Sequence, residues 1–92
     1  MIASLAIAAS LASFMPPAQF DYEPRQAYTV TEFSAPMLKI VCRSGQYAGG
    51  RVPYACTYRS LNAIFILNTL TGANRDIILR HEKAHLNGWN HD

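Results

Sequence analysis

His81-Glu82-Lys83-Ala84-His85, followed by Gly88 and His91, brings three imidazoles and one carboxylate into eleven residues. Two His at i and i+4 fall on one side of an α-helix, one turn apart, and can grip one Zn²⁺ through nitrogen. Glu82 between them projects toward the same side and can reach a metal-bound water as general base. Gly88 lets the chain leave the helix in a left-handed turn that swings His91 back as a third ligand. A fourth tetrahedral position stays open for water, the layout of a catalytic rather than a structural zinc site. The expected set is His81, His85 and His91 around one Zn²⁺, with Glu82 as the catalytic group. His91 stands next to the last residue, where chains fray, and Asp92 or the terminal carboxylate competes for the third position.

These side chains need a helix to hold them. One is expected from Asn74 to Asn87, with Asn74 as N-cap and Gly88 just past the end. Ile77, Ile78, Leu79, His81, Glu82, Ala84, His85 and Leu86 cover most of its circumference, whereas Asp76, Arg80, Lys83 and Asn87 share one narrow ridge. The helix is therefore expected to be buried except for that ridge, with the His and Glu residues off it among apolar neighbours. A dry surround strengthens ligand electrostatics and fixes imidazole rotamers. Arg80 and Lys83 read as solvated helix charges, with Asp76 to Arg80 an i, i+4 pair. Trp89 reads equally as a wall of the site or as the anchor of a small core.

Upstream, Ala27 to Phe33 is rich in β-branched and aromatic residues and reads as a strand, stopped by Ser34-Ala35-Pro36. Met37 to Arg43 reads as a second strand, followed by turn signals at Ser44-Gly45 and Gly49-Gly50. Val52 to Ser60 reads as a third, with Pro53 marking an edge position or a strand start. Leu61 to Leu70 is the most apolar run beyond the N-terminus, and its Ile-Phe-Ile centre with the Thr71-Gly72 break favours a strand. Tyr47, Tyr54 and Tyr58 fit as strand or core aromatics. Residues 16–26, Pro-rich and polar, read as a linker or extended arm. The fold class expected is α+β: a small antiparallel or mixed sheet of three to four strands on a C-terminal active-site helix, plus an apolar N-terminal helix or leader.

The 92 residues make one small domain, and a formal net charge of +2 with scattered Lys and Arg gives no nucleic-acid footprint. The first fifteen residues carry no charged side chain and end at Pro16-Pro17. They resemble a signal-peptide hydrophobic region with Ser10-Leu11-Ala12 as a small-residue cleavage site, although the positive n-region is missing. The division expected is residues 1–18 as signal peptide or N-terminal anchor and residues 19–92 as the domain. Export is the preferred reading; the alternatives are membrane association through residues 1–15 and an apolar helix packed in the domain. Cys42 and Cys56, in neighbouring strand-like segments, are the disulfide candidate. A bridge closing a loop of about fifteen residues contributes about 3 kcal/mol in the chain-entropy model, welcome in a core this small.

The run HEKAHLNGWNHD is similar to the zinc-binding signature of zincin metallopeptidases, most closely to the HExxHxxGxxH form of the metzincins. The aromatic after the glycine resembles astacins, and the Asp after the third His resembles adamalysins. The resemblance implies His81, His85 and His91 as zinc ligands and Glu82 as general base and proton shuttle. It also implies a mixed sheet whose edge strand aligns a peptide above the active-site helix. It covers twelve of the 92 residues. The chain departs from the pattern at Lys83, where zincins prefer an uncharged residue. Among Met1, Met15 and Met37 none follows the motif, as the methionine turn of metzincins would require. The reading is of a minimal zincin-like protein.

The expected function is zinc-dependent hydrolysis of peptide bonds, with a peptide or protein substrate and a cleft that a partner chain could complete. The alternative is a non-catalytic zinc-binding module, in which the metal staples the C-terminal helix to the sheet and the protein serves as an accessory interaction partner.

Overall fold

The computed structural model describes residues 11–43, 46–48 and 53–91, with residues 46–48 described by their backbone alone. Four strands form one mixed sheet: β1 (Thr29–Phe33), β2 (Gln46–Ala48), β3 (Ala55–Tyr58) and β4 (Ala63–Leu67). Their order across the sheet is β1-β4-β3-β2. β1 runs parallel to β4, pairing Thr29 with Ala63 and Phe33 with Leu67. β2 and β4 both run antiparallel to β3. Two helices complete the described fold: α1 (Ala35–Val41) and α2 (Gly72–Leu86).

Strand alternation divides the core into two layers. Successive side chains of a strand point to opposite faces. Ala55 of β3 and Ile66 of β4 pack with Ile78 of α2 on one face, and Cys56 and Leu67 pack with Leu38 and Cys42 of the α1 segment on the other. β3 and β4 are buried, as befits inner strands covered on both sides, whereas β1 is an exposed edge.

The strand expected over Met37–Arg43 is instead helix α1. Strand β1 does end at Phe33, just before Ser34-Ala35-Pro36, but Pro36 then opens a helix rather than separating two strands. It sits in the first helical turn, where its missing N–H leaves no bond unmade. Leu38 and Cys42, both buried, stand at the i, i+4 spacing of one helix face. Cys42 is therefore at a helix end, and its disulfide to Cys56, with Cα atoms 5.7 Å apart, staples α1 to β3. Tyr58 Oη adds a second tie by donating to Val41 O at 2.7 Å.

Strands expected over Ala27–Phe33, Val52–Ser60 and Leu61–Leu70 appear as β1, β3 and β4, each shorter by a few residues. Pro53 precedes an inner strand rather than an edge. Tyr47 lies in β2, and Asp92, the competing ligand, lies outside the described residues.

Residues 16–26 are not a free linker. A 3-10 turn at Ala18–Phe20 leads the arm across the polar ridge of α2. Arg80 pairs there with Asp21 through Nε at 3.2 Å and through Nη2, and Lys83 pairs with Glu23 at 2.9 Å. Asn87 Nδ2 donates to Phe20 O at 2.9 Å and to Tyr22 O at 2.8 Å. Arg80 and Lys83, expected to be solvated, are thus engaged by acids about 60 residues away, and the ion pair of Arg80 is with Asp21, not Asp76. Solvent screens exposed pairs of this kind, so the arm is held mainly by its number of contacts.

Membrane association through residues 1–15 is also corrected. Leu11 belongs to the core beside Ala55, Ile66 and Ile78, and Phe14 packs on the same cluster. These side chains are already spent on the interior of the domain. Among the described residues no helix is long and apolar enough to cross a membrane. The apolar N-terminal helix or leader falls largely on residues 1–10, outside the described residues.

Candidate metal centre

Helix α2 begins two residues before the expected N-cap Asn74, with Thr71 as N-cap, and ends where the sequence placed its end. Its C-terminus closes in a Schellman pattern: Gly88 N–H donates to His85 O at 3.1 Å and Trp89 N–H to Ala84 O at 3.0 Å. Gly88 has φ +106°, a backbone state that side-chain-bearing residues rarely adopt. The reversal carries Trp89 and His91 back along the helix.

His91 consequently meets the helical pair. His81 Nε2 lies 3.2 Å from His91 Nε2, and His91 Nε2 lies 2.8 Å from His85 Nε2. Ligands at Zn–N distances near 2.0–2.1 Å in a tetrahedron stand about 3.3 Å apart, so the imidazoles are gathered to the scale of a single ion. His81 and His85 are buried, and His91 is exposed.

The outer ring nitrogens have their own partners. His81 Nδ1 lies 2.7 Å from Phe14 O and His85 Nδ1 lies 2.8 Å from Trp89 O. A carbonyl only accepts, so each Nδ1 carries the hydrogen and each Nε2 presents a lone pair inward. Two inward lone pairs then flank His91 Nε2, which can supply at most one hydrogen. A cation satisfies all three nitrogens at once, and the donor set therefore fits a metal. Burial holds His81 below its usual pKa and pushes His85 down to about 4, with the carbonyl bonds opposing. Both rings are in their ligating, neutral form at neutral pH.

Trp89 is the wall of this cluster. Its ring centroid lies 4.8 Å from those of His81 and His85 and 5.0 Å from that of His91, stacked on the latter two.

Glu82 is fully buried on the same helix. Thr57 of β3 reaches it twice, with Oγ1 2.7 Å from Glu82 Oε1 and 3.1 Å from Glu82 O. Glu82 Oε2, equally buried, has no hydrogen-bond partner among the described residues. Burial pushes the carboxyl up to about 8, against the lowering effect of the Thr57 bond. In the metal-free protein the carboxyl is therefore largely protonated at neutral pH.

His81, Glu82, His85 and His91 thus form an HExxH…H zinc-binding motif consistent with a metzincin-like site, and the three imidazoles could coordinate one metal ion. Comparison with protein-family models, with curated proteins and with solved structures finds no match to this chain. The motif therefore stands on its own residues. Sequence reasoning missed Thr57, Arg59 and the Phe14 carbonyl, the groups that hold the motif in place. None carries a local signal, because each meets α2 only through the tertiary fold.

Proposed function

We propose that this chain is a zinc-dependent metallopeptidase. The observation that carries the reading is the convergence of three Nε2 atoms, two of them fixed in the ligating tautomer by backbone carbonyls. His81, His85 and His91 would hold the ion, which when bound supplies a water of lowered pKa and polarises a scissile carbonyl. Glu82 takes up the proton of the attacking water and returns it to the leaving amine. Thr57 fixes one carboxyl oxygen of Glu82, leaving Oε2 for the proton. Trp89 excludes water from one side of the imidazoles. Export accompanies this reading, since the Cys42–Cys56 disulfide suits an oxidising compartment.

Glu82→Gln tests it. The variant retains zinc and loses peptide hydrolysis; a variant that cleaves peptides as fast as the parent would refute the mechanism.

A second reading, a zinc-stapled module without turnover, draws on the bond that ties Glu82 into the core through Thr57. Chelation separates the two. A structural site unfolds with EDTA, whereas a catalytic site loses turnover with its fold intact.

A further inference from the structure

We infer that Arg59 is the positioning residue for the third metal ligand. Arg59 follows β3 directly, and its guanidinium makes three bonds to the end of α2 and the segment beyond it. Nε donates to His85 O at 2.6 Å, and Nη2 donates to Trp89 O at 2.5 Å and to Asn90 Oδ1 at 2.9 Å. Residues 89 and 90 are the two that precede His91. His91 sits on an exposed segment beyond the helix, with no regular element of its own, so its place beside His81 and His85 depends on whatever fixes that segment.

Two features make this more than a cap on a helix end. Trp89 O, which Arg59 holds, is also the acceptor that orients His85 Nδ1. The indole of Trp89 in turn stacks on His91 with an interplanar angle of 16°. One side chain therefore governs the orientation of one ligand and the delivery of another. The fork matters as well as the charge, since a planar guanidinium spans several fixed acceptors that an ammonium cannot. β3 is a firm base for it: Cys56 is bridged to α1, Thr57 bonds Glu82, and Arg59 bonds the terminal segment, all within four consecutive residues.

The inference rests on the three-His reading of the site, and the experiment separates the two. Zinc affinity of the full chain is measured by chelator competition for the parent, Arg59→Ala, Arg59→Lys, His91→Ala and the Arg59→Ala/His91→Ala pair. The visible spectrum of each Co²⁺ complex is recorded beside it, and circular dichroism reports the fold. Arg59→Ala weakens zinc binding about 10–100-fold, as loss of an outer support does, and shifts the Co²⁺ spectrum toward that of His91→Ala. Arg59→Lys folds and recovers only part of the affinity. With His91 already removed, Arg59→Ala costs less than it does in the parent, because only its hold on His85 through Trp89 O remains. Parent-like affinity and spectrum in Arg59→Ala, or losses that add in full in the pair, would overturn the inference and leave Arg59 as a helix cap. If His91→Ala itself binds zinc as the parent does, the three-His reading fails first and takes this role with it.

Discussion

Thr57 Oγ1 stands 2.7 Å from Glu82 Oε1, so the sole carboxylate of the HExxH motif is bonded to the sheet rather than left free on its helix. The bond crosses 25 residues of sequence and joins β3 to α2, which pack against each other. It fixes one oxygen of a fully buried group and leaves the other without a partner among the described residues. In the role proposed for it, Glu82 therefore offers one oxygen, Oε2, while Oε1 is held by Thr57.

Removing that hydroxyl is therefore expensive. Thr57→Val keeps the shape but strands a buried carboxyl, which costs about 1–3 kcal/mol. It also moves the Glu82 pKa further up from about 8, since the Thr57 bond opposes the effect of burial. Thr57→Ser keeps the donor and stays closer to the parent. Urea unfolding of the metal-free proteins checks this, and equal stability of the Val and Ser variants would refute it.

The metal-free protein has two opposing pH dependences. His85 titrates near 4 in the folded chain, below its ordinary value of 6.5. Its contribution to stability is complete above about 6.5 and is lost as pH falls toward about 4, because the unfolded chain then binds the extra proton. Glu82 behaves the other way, with a folded pKa of about 8 against 4.5. Its protonated form favours the folded state, so that contribution is complete below about 4.5 and lost as pH rises through about 8. Metal-free Glu82→Gln should lack this second decline. Chemical unfolding in EDTA between pH 6.5 and 9 reads the difference, and parallel curves for parent and variant would contradict the assignment.

The N-terminal segment belongs to the site. Phe14 O accepts from His81 Nδ1, and Leu11 fills the core beneath α2. A chain begun at residue 19 loses both. Such a chain is expected to bind zinc about 10–100-fold more weakly, the usual cost of losing an outer partner of a His ligand. Chelator competition measures this, and undiminished affinity would show that Phe14 is dispensable. N-terminal sequencing of the protein from expressing cells and their medium then shows whether residue 14 is retained.

Much of this site was legible in the sequence. The i, i+4 spacing of His81 and His85, the glycine at position 88 and the apolar circumference of α2 are local patterns, and local patterns survive into the fold. The ligand reach of His91 was legible for the same reason, since a Schellman turn returns the chain in a fixed direction. Helix α1 was not. Seven residues are too few to show a period, and Pro36 signals a strand stop as readily as a helix start. The pairing of Asp21 with Arg80 and of Glu23 with Lys83 was hidden because a polar arm and a polar ridge carry no mark of belonging together. Thr57 and Arg59 look like ordinary residues at a strand end until β3 is laid against α2.

Zinc stoichiometry is the most direct test of a mononuclear three-His site. Native mass spectrometry of the purified protein should show one zinc per chain in the parent and in Glu82→Gln, and none retained in His85→Ala at the same free zinc. A parent that takes up no zinc, or a His85→Ala variant that holds it as firmly as the parent, would contradict the assignment.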